Sequence, residues 1–469
     1  QVSVKSVLLN RGGYSYLTGP AVPGKEKQEA APVPGGSTPS LPWTVRVGSV
    51  VLDDNRAEYG LLNHRPAAGF DPSFIVLSTL DLAVDSIYNR GADIALQIRR
   101  MAFTERSGLT VSDMTGDIGM DASGISLAGV TLKTPFSRIE ANISAGEGIL
   151  ALAPDSPLKA DLMADVNTKD LKYLYPALIP PVLDGRIVSL ALTAAGTLGD
   201  IGKAGLDISS PGHVAFTADG AARNVLDPGR MEASARFEGD FRDMAFLEAL
   251  LPDSALRRRI AIPDRIRLRG TAGADKGAFS AASTLSTDGG EIALQGQLDT
   301  RSEAYEIELR CDSFPLNRFL PADSLGLLDL ALQAGGSGFD PLRAQTRGNI
   351  RLQVDRAEFR GRDFGGVELN ANLEGGQLSG RLSDRDEALR LLLLVSGTLT
   401  ERKQEVRLTG NVFDFDLAEL GISPQKIGGS FALEAGASAS DAGSYTARIA
   451  LDSIEVRTRH RTDRIRPTS

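Results

Sequence analysis

Asp170-Leu171-Lys172-Tyr173-Leu174, Asp243-Met244-Ala245-Phe246-Leu247 and Asp416-Leu417-Ala418-Glu419-Leu420 are three copies of one pattern, D-[LM]-x-x-L, and their spacing decides how the chain is read. A weaker copy, Leu316-Asn317-Arg318-Phe319-Leu320, lacks the aspartate. The closing leucines fall at 174, 247, 320 and 420, so the steps are 73, 73 and 100 residues. Pro176, Pro252, Pro321 and Pro424 follow the copies within five residues. A recurrence this long is the mark of a repeat array. Each copy predicts a short helix: the aspartate as N-cap for the free amides of the first turn, the leucines as an apolar stripe, the proline as the stop. The longest such helix is expected over Asp243–Ile260, with Arg257-Arg258-Arg259 near its C-terminal end, where cations suit the helix dipole.

Between the copies the period is two, the signal of strands with one wet and one dry face. Ile94, Leu96 and Ile98 alternate with Asp93, Gln97 and Arg99; Ile266 and Leu268 with Arg265, Arg267 and Arg269. Ile292 and Leu294 repeat the pattern, as do Ile307, Leu309 and Cys311 against Glu306, Glu308 and Arg310. Ile350, Leu352 and Val354, then Val367 and Leu369, then Val406 and Leu408 complete it. Clean alternation predicts antiparallel sheet; buried parallel strands would read as continuous apolar runs. The expected fold is mainly β: an elongated, curled antiparallel repeat sheet with a groove and a few short helices. The expected modules are 1–160, an N-terminal β module, then repeats at 161–242, 243–313 and 314–413, and a truncated fourth at 414–469. Residues 19–42 carry six prolines (20, 23, 32, 34, 39, 42) and predict a disordered Pro/Gly loop. A turn is expected at Asp53-Asp54-Asn55.

The bulk composition narrows the function. Net charge is -9 and pI about 5.2, which argues against a nucleic-acid grip. One cysteine excludes an internal disulfide, and three histidines leave little for a metal site. The pure apolar run Leu391–Val395 is far short of the roughly 20 residues a spanning helix needs. The opening Gln1-Val2-Ser3-Val4-Lys5 is already a strand pattern, and with no starting Met it suggests a fragment or a processed chain. The stretch Gly19–Glu26 imitates a phosphate-binding loop, but Glu26 stands where a hydroxyl is needed and Pro20 and Pro23 lack amides. No nucleophile, metal or dinucleotide motif occurs, so no catalytic residue, metal ligand or cofactor is assigned and no enzyme is expected. Asp53/Asp54 and Asp414/Asp416 read as turn and capping groups, Cys311 as a buried inert thiol. The C-terminal arginines 457, 459, 461, 464 and 466 read as a strand and a frayed tail, or as a contact for anionic headgroups.

One short helix per repeat cannot cover several strands, and apolar surface left wet costs roughly 25 cal/mol per Å². The dry face therefore curls on itself, packs on a second sheet, or holds an apolar guest. The inward positions that would line such a groove are Ile94, Leu96, Ile98, Ile266, Leu268, Ile292, Leu294, Ile307, Leu309, Cys311, Ile350, Leu352, Val354, Val367, Leu369, Val406 and Leu408.

Three stretches resemble the TamB/AsmA-like family of bridge-like lipid-transfer proteins, closest to the large TamB-like proteins of Bacteroidota. They are Leu41–Leu52, Glu105–Val111 with Ile125–Ser137, and the D-[LM]-x-x-L units with Gly-led strands such as Asp184-Gly185-Arg186-Ile187. The resemblance covers nearly the whole chain except 19–42 and makes residues 1–160 an AsmA-like module. It implies a β-taco groove in the periplasm of a Gram-negative bacterium, with the parent protein anchored in the inner membrane by an N-terminal helix. It implies phospholipid carriage between inner and outer membranes, with acyl chains as the cargo and a BamA-like outer-membrane barrel protein as partner. The anchor and the partner-binding domain are not recognisable in this sequence. A scaffold or chaperone for outer-membrane β-barrel assembly, and a structural array with a self-filled core, remain as alternative readings.

Overall fold

The computed structural model describes residues 2–4, 7–10, 13–14, 44–60, 65–91, 93–146, 154–176, 179–251, 253–321, 323–439 and 445–465. The expected loop at 19–42 and the phosphate-loop imitation lie outside the described residues. Strand makes up 69% and helix 6%, and the sheet is antiparallel and not closed, as the alternation predicts. The chain divides into two units, residues 1–227 and 228–469.

In the first unit the strands are β1 (Val2–Val4), β2 (Val7–Asn10), β3 (Gly13–Tyr14), β4 (Thr44–Gly60), β5 (Phe74–Arg90), β6 (Asp93–Glu105) and β7 (Thr110–Asp121). They continue as β8 (Gly124–Lys133), β9 (Arg138–Gly146), β10 (Pro157–Asn167), β11 (Ile187–Thr197), β12 (Asp200–Ser210) and β13 (Val214–Arg223). From β4 onward each strand pairs antiparallel with the next. The pieces β1, β2 and β3 run parallel along the other edge of β4, the one departure from the antiparallel rule among the described residues. The turn expected at Asp53-Asp54-Asn55 is instead a bulge inside β4. Asp54 adopts φ +53°, and the pairing with β5 shifts between Leu52 and Asn55. An extra residue in one strand bends it and raises its twist without ending it.

In the second unit the meander is β14 (Glu232–Arg242), β15 (Arg265–Asp275), β16 (Ala278–Thr287), β17 (Gly290–Asp299), β18 (Ala304–Pro315), β19 (Leu325–Ser337) and β20 (Arg347–Phe359). It continues as β21 (Arg362–Phe364), β22 (Val367–Glu374), β23 (Gln377–Arg385), β24 (Leu389–Leu399), β25 (Gln404–Asp416), β26 (Gly428–Ala439), β27 (Tyr445–Arg457) and β28 (Thr462–Ile465). Both β21 and β22 pair with β20, so they are one strand broken at Gly365-Gly366. Gly366 has φ +82°, and a side chain on Gly365 would meet the Asp355 carbonyl at 2.2 Å.

The D-[LM]-x-x-L copies sit in the connections after β10, β14, β18 and β25. Four strands separate the first pair of copies, four the second, and six the third, counting β21 and β22 as one. The step of 100 residues is thus a 73-residue step with one more hairpin. An even count matters, because an antiparallel chain returns to the same end of the sheet only after an even number of strands. Within the second unit the special connectors accordingly share one end and touch. The Phe319 carbonyl accepts from Ala261 N at 2.8 Å and Arg259 pairs with Asp323 at 3.1 Å, while the β20–β21 turn bridges the next two connectors, Arg360 N donating to the Ser324 carbonyl at 2.7 Å and its guanidinium to the Gly421 carbonyl at 2.6 Å.

The helical content differs from the expectation in detail. Helix α1 (Thr168–Leu174) is capped by Asn167, whose side chain accepts from Lys169 N, and not by Asp170. Asp170 lies inside the first turn, buried, and its Oδ2 accepts from Thr134 Oγ1 and Ser137 Oγ at 2.5 Å each. It pins α1 onto the β8–β9 turn. The long helix expected over Asp243–Ile260 is two pieces, a 3-10 helix over Met244–Leu250 and α2 (Ser254–Arg259). Leu251, before Pro252 in the sequence, is extended at φ -63°, ψ 127°, as a residue before proline prefers. Asp243 makes no side-chain cap and sits at φ +47°. The third copy shrinks to α3 (Leu316–Phe319), with Pro315 at its cap position. The fourth forms no helix, yet Asp416 does accept from Ala418 N (2.8 Å) and Glu419 N (3.1 Å), as an N-cap would.

Asp170→Ala takes the acceptor from the buried Ser137 hydroxyl and the half-buried Thr134 hydroxyl. It is expected to cost about 2–4 kcal/mol in denaturant unfolding, against under about 0.5 kcal/mol for Asp243→Gly, which loses no cap and relieves a left-handed backbone. Equal costs for the two would contradict this account of the connectors.

Candidate functional site

Residues directly opposite in an antiparallel ladder project to the same face, so the register identifies which side chains share a surface. In the second unit it aligns Leu294 with Leu309, Leu309 with Leu332, Leu332 with Leu352, Leu352 with Leu369, Leu369 with Leu382, and Leu382 with Leu393. Seven consecutive strands each place a leucine in one line. The line runs on through Gly410 to Leu433 and Leu451. A parallel row holds Ile292, Cys311, Leu330, Val354 and Val367. On the other side lie Ile307, Ala334, Ile350, Ala371, Gly380, Val395 and Leu408, whose row mixes large with small.

Every candidate named from the sequence in this unit falls on this one face: Ile266, Leu268, Ile292, Leu294, Ile307, Leu309, Cys311, Ile350, Leu352, Val354, Val367, Leu369, Val406 and Leu408. In the first unit Ile94, Leu96 and Ile98 likewise share a face, opposite Met120, Ile118 and Gly116. The sequence reading missed much of the surface, including Leu332, Leu382, Leu393 and Leu433. Leu393 sits in the pure apolar run Leu391–Val395, where alternation gives no face, and the line that these leucines form exists only once the register is fixed.

The unit carries its register shifts at the connector end. They lie at Cys311/Phe314, Leu325/Leu328, Asp329/Leu330, Arg390/Leu391, Val412/Phe415 and Ser430/Ala432. A slip of one residue turns every later side chain to the opposite face. Placed beyond the leucine line, the bulges bend the strand ends and leave the line intact. At that end the apolar surface is partly covered by the chain itself. Phe319 of α3 stacks on buried Phe314 at 5.0 Å, and Phe415 meets Phe431 edge-on at 6.0 Å.

The middle of the face is open. Leu294, Ile307 and Ile350 are 42%, 40% and 45% exposed, although each sits in an interior strand. A packed second layer would bury such residues. A concavity of 720 Å³ at this level is lined by residues of both faces: the row of Phe237, Leu294, Leu309 and Leu332, and the adjacent rows of the opposite face that hold Arg236, Glu308 and Arg310. The first unit differs. Its Val84, Ile98, Ala141, Ala145 and Ala164 are all under a tenth exposed. Every ladder from β4–β5 to β8–β9 carries a bulge there, whereas the ladders from β14–β15 to β17–β18 carry none. Bulges tighten the curl and small alanines let it close, so the face is self-filled where bulges crowd and bare where they are absent.

The opposite face is charged and cross-linked. Asp240 holds both Arg242 and Arg265 at 2.7 Å, and the two guanidiniums keep its carboxyl far below the usual range. Asp414 pairs with Arg390 on the neighbouring β24 and with Arg457 on β27, two strands away. Such exposed pairs set register more than stability. Polar groups also stand on the apolar side, among them Ser283 opposite Leu294, Thr287 opposite Ile266, Cys311 and Asp384. Burial raises the Cys311 thiol, which is inert there. Asp384, opposite Leu391, is also raised, first by burial, although its carboxylate accepts from Asp386 N at 2.9 Å.

Comparison with family models, with curated proteins and with solved structures returns no significant match to this chain.

The folded Asp384 binds its proton more tightly than the unfolded chain does, so it lowers stability as pH rises above 3.8. Asp384→Asn keeps the acceptor and removes the charge. It is expected to raise Tm at pH 7 and to match the parent below pH 3.8. A variant less stable at pH 7, or a pH-independent difference, would contradict the burial of this carboxyl.

Proposed function

We propose that this chain is a periplasmic segment of a TamB/AsmA-like protein and that its apolar face carries phospholipid acyl chains between inner and outer membranes, without catalysis. The observation that carries this reading is the leucine line from Leu294 to Leu393, flanked by isoleucines left 40–45% exposed. A long surface made mostly of hydrocarbon, with few directional polar groups, selects hydrocarbon and is largely indifferent to its length and headgroup. The charged groups on the opposite side leave the headgroup no reason to enter; it stays in water.

Magnitudes favour transit over storage. Full burial of a methylene contributes about 0.8 kcal/mol, and a tail lying on one wall gains roughly half of that. Two tails of about 16 carbons then gain on the order of 13 kcal/mol relative to water. That is enough to keep a lipid on the protein in aqueous solution. It is also about half of what a bilayer offers, so delivery into a membrane is downhill. The resemblance extends the reading to an inner-membrane anchor and a BamA-like outer-membrane partner, both supplied by parts of the parent protein not recognisable here.

The second reading is a scaffold for outer-membrane barrel proteins, and it draws on β27. Residues Tyr445–Ser453 are exposed at every position, and among the described residues they pair with β26 alone. A free edge of this kind accepts an added strand.

Leu352 and Arg351 are neighbours in β20 on opposite faces. A photo-crosslinking residue at 352 is expected to capture phospholipid in cells several-fold more than one at 351. Equal capture at both positions, or capture of polypeptide and not lipid at 352, would overturn the carrier reading.

A further inference from the structure

The connector between β14 and β15 carries a surface that the trough does not use. Leu250 and Leu256 are 44% and 40% exposed at the end of the 3-10 helix and in α2. Arg257, Arg258 and Arg259 follow directly, all exposed. Exposed Arg318 stands on α3, which is tied to this connector by the Arg259–Asp323 pair and the bond from Ala261 N to the Phe319 carbonyl. The local carboxylates are engaged. Glu248 accepts from Ile262 N at 2.8 Å, Asp323 clamps Arg259, and Asp253 has an interaction of its own. Among the described residues no ion pair is formed by Arg257, Arg258 or Arg318. Two bare leucines beside three uncommitted guanidiniums make an amphipathic projection at the rim of the sheet, on a chain whose net charge is -9.

We propose that this connector is a docking point for an anionic phospholipid bilayer. Arg257, Arg258 and Arg318 sit at the level of the phosphates, and Leu250 and Leu256 dip into the headgroup boundary. The charge decides the occupant. An acidic protein is repelled by an anionic membrane as a whole, so it approaches through a local basic patch. The leucines decide between a membrane and a free anion, because a soluble phosphate has nothing to offer exposed hydrocarbon. The site does not depend on occupancy of the trough: it is a surface contact at the rim, whereas the trough is a face.

The test uses the full chain in flotation with phosphatidylcholine vesicles, with and without phosphatidylglycerol, at low and high salt. Binding is expected with the anionic vesicles only, and to fade as salt rises. R257Q/R258Q is expected to weaken it roughly 30-fold, at about fivefold per arginine. R257K/R258K should retain it, and L250S/L256S should weaken it while keeping the salt dependence. R343Q/R402Q, on the exposed β19–β20 and β24–β25 turns away from the connector end, should leave it unchanged. The idea is overturned if the parent does not bind anionic vesicles, if R343Q/R402Q weakens binding as much as R257Q/R258Q, or if the lysine variant fails like the glutamine one. Lipid capture at position 352 is measured in the same variants. Its persistence with vesicle binding lost separates the two sites, and its absence with vesicle binding kept faults the trough alone.

Discussion

Register is the constraint on which the rest depends. A strand has two faces, and a shift of one residue exchanges them. In the second unit the ladders hold Leu294, Leu309, Leu332, Leu352, Leu369, Leu382 and Leu393 in line across seven strands. The polar side of the same strands is stitched by pairs such as Arg347 with Glu374, each of them weak but each penalising a slip. The outcome is a hydrocarbon surface much longer than any single core, with no element of the unit long enough to lie across it.

The chain handles that surface in two ways. Where bulges recur in successive ladders, as from β4 to β9, the sheet curls tightly over small alanines and fills itself. Where they are absent, as from β14 to β18, isoleucine and leucine remain in contact with solvent. The connectors follow a separate rule, that an even number of strands brings each one back to the same end. There they hydrogen-bond and pair with neighbouring turns and connectors, Phe319 stacks on Phe314 of β18 to cover the sheet end, and the middle stays bare. The same device that closes the rim also projects Leu250, Leu256 and the arginines outward.

Much of this was legible in the sequence, and the omissions have physical reasons. Alternation alone assigned Ile307, Leu309 and Leu352 to a dry side, because the side-chain period of a strand is a local property. The leucine line was not legible, because alignment between strands depends on turn lengths and bulges. The repeat steps were visible, but their meaning as four, four and six strands was not. The role of Asp170 was misread for a similar reason. Its partners Thr134 and Ser137 lie more than thirty residues away, so an aspartate that looks like a cap is a buried anchor. Asp416 shows the opposite case: its partners are the next turn's own amides, and there the local reading held.

Native mass spectrometry of the purified chain, followed by lipid extraction, tests the central claim most directly. A bare leucine face predicts phospholipid bound in aqueous solution. The masses should be spread over several headgroups and tail lengths, and should be lost when Leu332 and Leu369 are both replaced by aspartate. A chain that flies free of lipid, or one that holds a single lipid species unaffected by those two replacements, would contradict a sliding hydrocarbon surface.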